Sequence, residues 1–149
     1  MHGAREDSIL ESQAWNYLLG EEGNPGERLL WAAQYNKPDL VRSLLSSDPA
    51  LVQHADSDGY TALHRAAYSD HYEVLELLLE EGGADPLATT EDGWTALHSA
   101  ARWNCARCVE RLLLVVPVNT LTRNRLGHFL CLFTYVMKIQ RKARLLGVP

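Results

Sequence analysis

The chain has 149 residues, of which 46% are hydrophobic and 22% are charged, and its formal net charge is −5. This size and composition predict one soluble domain with a buried core, and the lack of a long continuous apolar run argues against a membrane-spanning helix. Three cysteines and a polar amino-terminal stretch unlike a signal peptide predict a reducing compartment.

The charges are distributed unevenly along the chain. Residues 1–110 contain all 19 acidic residues and 7 of the 14 basic ones, whereas residues 111–149 contain the other 7 basic residues and no acid. The first segment therefore carries −12 and the second +7. Such a division predicts two segments with different roles.

The first predicted element is a helix at the amino-terminal end. Residues 9–19 read ILESQAWNYLL, with apolar side chains at helical spacing, and the Gly-Asn-Pro-Gly stretch at 23–26 separates them from the next segment. We interpret residues 1–25 as a capping helix and linker, because the end of a repeat stack needs a cover for its apolar face.

The next segment contains an internal repeat. Residues 58–67 read DGYTALHRAA and residues 92–101 read DGWTALHSAA, so eight of ten letters agree at a spacing of 34. A fainter copy lies one period upstream, where LLWAA at 29–33 aligns with LHRAA at 63–67. Periods of this length are typical of stacked units that bury their apolar faces against one another.

Each copy predicts two helices. A short first helix is expected over the LHxAA stretch, capped by Thr61 or Thr95, with the paired alanines allowing close approach to the neighbouring unit. A second helix is expected from about His71 to Glu81 and from about Ala106 to Val115, where apolar residues recur at i, i+3 and i+4.

The reversal between the two helices carries Asn36, Asp70 and Asn104, which are separated by the same repeat period. Asn and Asp are the non-glycine residues that best tolerate a positive φ, since their short polar side chains form local hydrogen bonds. We therefore predict a positive φ at all three positions. The loops at about 56–60 and 91–94 are predicted to form hairpin-like fingers, with Gly59 and Gly93 supplying the turn geometry.

The TALH strings, the paired alanines and the GADP at 83–86 resemble the ankyrin repeat, although alanine stands where that family prefers proline after the threonine. The resemblance covers residues 26–122, as three repeats at 26–57, 58–91 and 92–122, and implies an all-α ankyrin-repeat solenoid of helix-turn-helix units joined by hairpin-like loops. It also implies a monomeric, non-catalytic protein-binding module with a regulatory or scaffolding role in the nucleus or cytoplasm. His64 and His98 are expected to form structural hydrogen bonds.

The predicted partner-binding surface combines variable positions of the first helices with the finger tips. These positions hold aromatic and arginine side chains, the types that most often dominate the energy of protein interfaces. The predicted residues are Trp31, Tyr35, Tyr60, Arg65, Tyr68, Trp94, Arg102 and Trp103. For Tyr60 and Trp94, filling a gap between repeats is an equal alternative.

Enzyme chemistry is not indicated. The sequence shows no nucleophile paired with a base, no phosphate-binding loop and no set of metal ligands, so we predict no catalytic residue, no cofactor and no metal. Cys105 and Cys108 form a CxxC string, but Cys108 falls where Val74 lies in the preceding repeat. We therefore interpret the pair as packing residues.

The last segment, residues 123–149, is basic and departs from the repeat pattern. One interpretation is a degenerate cap in which the apolar run 129–139 covers Leu112 and Leu113; the other is a terminus not selected to fold. This segment also suggests an alternative function, because the apolar run, together with Lys138, Arg141, Lys142 and Arg144, could contact an anionic membrane surface or nucleic acid.

Overall fold

The computed structural model describes residues 23–116 and 144–147. The predicted helix at 9–19 and the apolar run at 129–139 lie outside the described residues. In chain order the helices are α1 (Pro25–Gln34), α2 (Pro38–Ser47), a 3₁₀ helix (Pro49–Gln53), α3 (Ala62–Tyr68), α4 (Tyr72–Glu80), α5 (Ala96–Arg102) and α6 (Ala106–Leu113). Among residues 23–116 there is no strand, only an isolated antiparallel bridge between Ala55 and Thr61.

Helices α1 to α6 form three antiparallel pairs arranged in two layers. The inner layer consists of α1, α3 and α5, and the outer layer of α2, α4 and α6. Neighbouring inner helices contact one another more extensively than neighbouring outer helices do. The inner layer is therefore the more tightly spaced, which gives the stack a concave inner side and confirms the predicted all-α solenoid.

Small and apolar residues recur through the core at the repeat period. Inner helices meet through alanines with no exposed surface, and leucines of both layers fill the space between the helices of a pair. The repeating buried positions are Leu29, Leu63 and Leu97; Ala32, Ala66 and Ala100; and Leu44, Leu78 and Leu112. Because each set spans all three pairs, the core is continuous along the stack.

The predicted left-handed residues are confirmed at all three reversals. The φ angles are 56° at Asn36, 60° at Asp70 and 61° at Asn104. The residue after each of these positions donates its N–H to a carbonyl in the last turn of the preceding helix; the His71 N–H, for example, donates to the Ala66 carbonyl at 3.0 Å. This six-to-one bond is the Schellman arrangement, which needs a left-handed residue just past the helix.

Asn104 offers a direct test of that conformation. Replacement by glycine is expected to leave the free energy of unfolding unchanged or raise it by up to about 1 kcal/mol, because glycine adopts a positive φ without a steric penalty. Replacement by valine should lower it by about 1–2 kcal/mol, since a β-branched residue fits this region poorly. Urea titration of both variants would check this, and equal stability of the valine and glycine variants would contradict it.

Each finger is held by its own backbone. In the first, the Asp56 N–H donates to the Tyr60 carbonyl at 3.1 Å; in the second, the Thr90 N–H donates to the Trp94 carbonyl at 2.9 Å. Gly59 has a φ of 85°, and a side chain there would approach the Thr90 and Glu91 backbone to about 3.0 Å. The predicted fingers and the need for glycine at this turn are thus confirmed.

The helix ends differ slightly from those expected. Helix α4 begins after His71, which has a non-helical ψ of 77° because it follows the left-handed Asp70. Helix α6 ends at Leu113 rather than Val115. Just beyond it, the Val115 N–H donates to the carbonyl of Leu112, three residues back, at 3.1 Å, which is the pattern of a 3₁₀ turn and not of an α-helix. Pro117 comes soon after in the sequence and disfavours a helical conformation at the residue before it.

Candidate functional site

A buried histidine near the start of each of α3 and α5 bonds to the threonine at the N-cap of the same helix. The Thr61 N–H donates to His64 Nδ1 at 3.2 Å, and the Thr61 hydroxyl lies 2.9 Å from the same nitrogen. Since a backbone N–H can only donate, Nδ1 is the acceptor and the ring proton is on Nε2, which lies 2.8 Å from the Trp94 carbonyl. Burial lowers the pKa of His64, in keeping with this neutral tautomer.

His98 repeats part of the arrangement one unit later. Its Nδ1 accepts from the Thr95 N–H at 3.3 Å and lies 2.7 Å from the Thr95 hydroxyl. Thr61 and Thr95 are the N-cap residues of α3 and α5, as predicted. The structural role expected of both histidines is confirmed, and His64 ties the second and third repeats together through Trp94.

A pocket of about 440 Å³ opens on the concave side, between the first finger and the ends of α3 and α5. Its volume is in the range of clefts that hold ligand-sized groups. Its lining combines aromatic rings, carboxylates and arginines. The lining residues are Asp56, Asp58, Tyr60, Arg65, Tyr68, Trp94, Ser99, Arg102 and Trp103.

The structure brings six of the eight predicted partner-binding residues into this lining: Tyr60, Arg65, Tyr68, Trp94, Arg102 and Trp103. The other two, Trp31 and Tyr35, are not part of it. Their rings lie 4.9 Å apart at the end of α1, where Trp31 packs against the core and Tyr35 is exposed.

A charged pair forms the floor of the pocket. Arg65 Nη2 donates to Asp56 Oδ2 at 2.6 Å, and Nη1 donates to Gln34 of the preceding repeat. The other Asp56 oxygen accepts the N–H groups of Asp58 and Tyr60, each at 2.9 Å. Burial raises the pKa of Asp56, but these hydrogen bonds outweigh it, so the pKa lies below its usual value of 3.8. The two opposite charges thus pair with each other, although Arg65 Nε is buried without a hydrogen-bond partner among the described residues.

The aromatic rings divide into a half-buried group and an exposed end. Tyr60 meets Tyr68 edge to face, with ring centroids 6.1 Å apart, and Tyr60 and Trp94 are both half-buried. Trp103, by contrast, is 64% exposed, with the Arg102 guanidinium 5.7 Å from its ring. Arg102 and Trp103, both in the predicted partner-binding set, are thus exposed to solvent.

Three lining residues were absent from the predicted set: Asp56, Asp58 and Ser99. Asp56 and Asp58 belong to the predicted finger, and an aspartate close to a glycine in such a turn commonly bonds to the backbone a few residues on. Ser99 stands one repeat period after Arg65. Its position in the pocket could have been predicted from the period alone.

The two cysteines of the CxxC string are packing residues, as interpreted from the sequence. Cys108 has no exposed surface and Cys105 is 4% exposed. Burial is the main reason why the pKa of Cys105 is raised to about 11 and that of Cys108 to about 12. Both thiols are therefore protonated at neutral pH, which makes them poor nucleophiles and poor metal ligands.

Within the described ranges, no three or more His, Cys, Asp or Glu side chains are grouped so that they could hold a metal ion. No helix found in this part of the chain is long and apolar enough to cross a membrane.

Comparison with known proteins assigns the chain to a family. It is 49% identical over 88 residues to human ankyrin repeat domain-containing protein 49, which covers 57% of this chain and 36% of that protein. The Drosophila melanogaster protein of the same name is 47% identical over 67 residues, covering 42% of this chain and 31% of its own length. Human BCL-6 corepressor-like protein 1 is 43% identical over 60 residues, 40% of this chain and 3% of that protein.

This chain thus spans about a third of the length of the ankyrin repeat domain-containing protein 49 relatives that it matches. The model for ankyrin repeats (3 copies) matches residues 12–90 and 29–120, which together make up well over half of the sequence. The chain belongs to the ankyrin-repeat family.

Proposed function

We propose that the chain is a regulatory or scaffolding module that holds a protein partner in the pocket between its first finger and the ends of α3 and α5. Ankyrin repeats in general mediate protein–protein interaction and form a non-enzymatic module. What supports this surface in particular is the clustering of Tyr60, Trp94, Arg102 and Trp103 in one concavity. Tyr, Trp and Arg are the residues most often found at the energetic centre of interfaces.

The floor and the rim of the pocket differ in a way that suits binding. Asp56, Arg65 and Gln34 are linked to one another and hold the floor in place. Trp103 and Arg102 at the rim project into solvent. A rigid base with exposed aromatic and arginine side chains costs little conformational entropy when a partner docks. The expected locations are the nucleus and the cytoplasm, where a protein with buried reduced thiols is stable.

The basic segment at 123–149, considered for contact with a membrane surface or nucleic acid, lies outside the described residues except for 144–147. No observation among the described residues favours that second function.

Affinity purification from cells tests the proposal. The double variant Arg102→Ala/Trp103→Ala should recover its protein partners at least about tenfold less efficiently than the wild type, because truncation of tryptophan and arginine side chains that a partner covers commonly costs more than about 1–2 kcal/mol. The matched control is Arg107→Ala/Leu87→Ala, which removes one arginine and one exposed apolar side chain outside the pocket lining. Equal recovery by both variants would show that the partner binds elsewhere.

A further inference from the structure

The pocket has two chemically different ends. Asp58 and Tyr60 lie in the finger before the amino-terminal end of α3, whereas Arg102 and Trp103 lie at the carboxy-terminal end of α5. Each of these helices has seven residues, a length of about 10 Å. The lining is thus acidic at the finger end and basic at the helix end.

The acidic character of the finger end remains after internal pairing is considered. Asp56 is occupied by Arg65 and by two backbone N–H groups. Asp58 joins the fingers through its backbone, since its N–H donates to Asp56 and its carbonyl accepts the Glu91 N–H at 2.9 Å. Its side chain is exposed at the pocket edge, and Glu91 and Asp92 are exposed on the adjoining finger.

The pKa of Tyr60 reflects the burial and the charges at this end. Its pKa is raised, first by burial, then by the neighbouring Tyr68, and then by the carboxylates of Asp92, Asp56 and Asp58. A cation next to Tyr60 would relieve this concentration of negative charge. The acid-rich segment 1–110, with a balance of −12, would also attract a basic partner from a distance.

Aromatic rings and a carboxylate at one site suit a guanidinium better than an ammonium. A guanidinium can lie against a ring while its planar donors meet a carboxylate, whereas an ammonium is a compact and strongly hydrated charge. Tyr60 and Trp94 supply half-buried rings, and Asp58 supplies the carboxylate. Arg102 at the other end repels a cation and so sets the direction in which a charged segment enters.

We propose that the pocket binds an extended segment of the partner protein that carries an arginine, with the guanidinium at the finger end beside Asp58 and Tyr60 and apolar neighbours of that arginine against Trp103. This inference rests on the proposed function and adds the chemistry of the segment that is recognised.

Synthetic peptides test the inference on the full chain. Three acetylated and amidated heptapeptides, GSLRLSG, GSLKLSG and GSLELSG, would be titrated against ¹⁵N-labelled protein while the tryptophan indole resonances are followed by NMR. The arginine peptide is expected to bind about tenfold more tightly than the glutamate peptide, with the lysine peptide between them.

Three single variants separate the pocket from general attraction to an acidic protein. Asp58→Asn should weaken the arginine peptide about threefold, and Trp103→Ala, which removes the apolar contact at the other end, should weaken it about fivefold. Asp39→Asn removes the same charge from a fully exposed position on α2 and should leave the affinity within about 1.5-fold, since salt screens distant surface charges.

Equal weakening by Asp58→Asn and Asp39→Asn would overturn the inference, as would a preference for the glutamate peptide or no binding of any peptide at millimolar concentration. A mass that rises with protein concentration in light scattering, and that Asp58→Asn lowers, would assign the pocket to a second copy of the chain and also overturn it. If affinity purification depends on Arg102 and Trp103 while the peptides show no preference for arginine, the proposed function stands and only this inference fails.

Discussion

Replacement of His64 by alanine is expected to lower the free energy of unfolding by about 3 kcal/mol. The side chain is 1% exposed, and it bonds to the Thr61 backbone and to the Trp94 carbonyl. Its loss leaves the buried Thr61 N–H without this acceptor and leaves the Trp94 carbonyl with the Thr90 N–H alone. It also opens a cavity, and the lost hydrogen bonding and the cavity each cost about 1–3 kcal/mol. The same change separates the second finger from α3, so the cost extends over two repeats.

The matched control is His54→Ala. His54 is only half-buried, and its Nε2 lies 3.1 Å from the Glu27 carboxylate near the surface. A side-chain contact this close to the surface contributes about 0–1 kcal/mol whether or not the imidazole is charged, so this variant should stay within about 1 kcal/mol of the wild type. Denaturant titrations of both variants would decide, and a loss of less than about 1 kcal/mol for His64→Ala would contradict the role given to this histidine.

The same histidine makes stability depend on pH. Because burial lowers the pKa of His64 below its ordinary value of 6.5, the unfolded chain takes up a proton there more readily than the folded one. The contribution is therefore fully present above pH 6.5 and is lost as the pH falls below that value toward the folded pKa. The wild type should lose stability as the pH falls below about 6.5, and His64→Ala should show a smaller loss over the same range.

Replacement of Ala66 by leucine should lower the free energy of unfolding by about 3 kcal/mol. Ala66 has no exposed surface and lies on α3, which packs against both α1 and α5. Added methylene groups have no cavity to enter, so the inner helices must separate. Overpacking of this kind typically costs about 1–3 kcal/mol, and the upper end applies here because α3 has a neighbour on each side.

Ala106→Leu serves as the control for the added volume. Ala106 is exposed at the start of α6, so a leucine there should change the stability by less than about 0.5 kcal/mol. Thermal unfolding followed by circular dichroism would compare the two variants. A melting temperature of Ala66→Leu equal to that of Ala106→Leu would show that the inner helices are not closely packed at this point.

Much of this fold could be predicted from the period of the internal repeat. A residue type that recurs at this spacing meets the same physical demand in each unit, which is why the left-handed backbone at Asn36, Asp70 and Asn104 was predictable without glycine. The paired alanines likewise predicted which helices approach most closely. In such cases, residues that are one repeat period apart in the sequence occupy equivalent positions in the structure.

The features that were not predicted depend on contacts within a single unit. The 3₁₀ helix at Pro49–Gln53 begins with an Asp-Pro pair, whereas the equivalent pair Asp85-Pro86 in the next repeat is followed only by a turn. The pairing of Asp56 with Arg65 depends on how the finger folds back over α3, which their separation in the sequence does not reveal. Trp31 lies in the first repeat, whereas the pocket is lined only by residues of the second and third repeats and their fingers. Residue types therefore indicated the kind of surface, but the geometry decided which residues share a pocket.

The central claim, that a protein partner occupies the pocket, is tested most directly by site-specific photocrosslinking. A benzophenone amino acid would replace Asp58 in one protein and Arg107 in another, since both positions are exposed but only Asp58 lines the pocket. Irradiation in cells should attach partner proteins to position 58 and leave position 107 without the same adducts. Adducts of the same partners at 107 and none at 58 would contradict the claim.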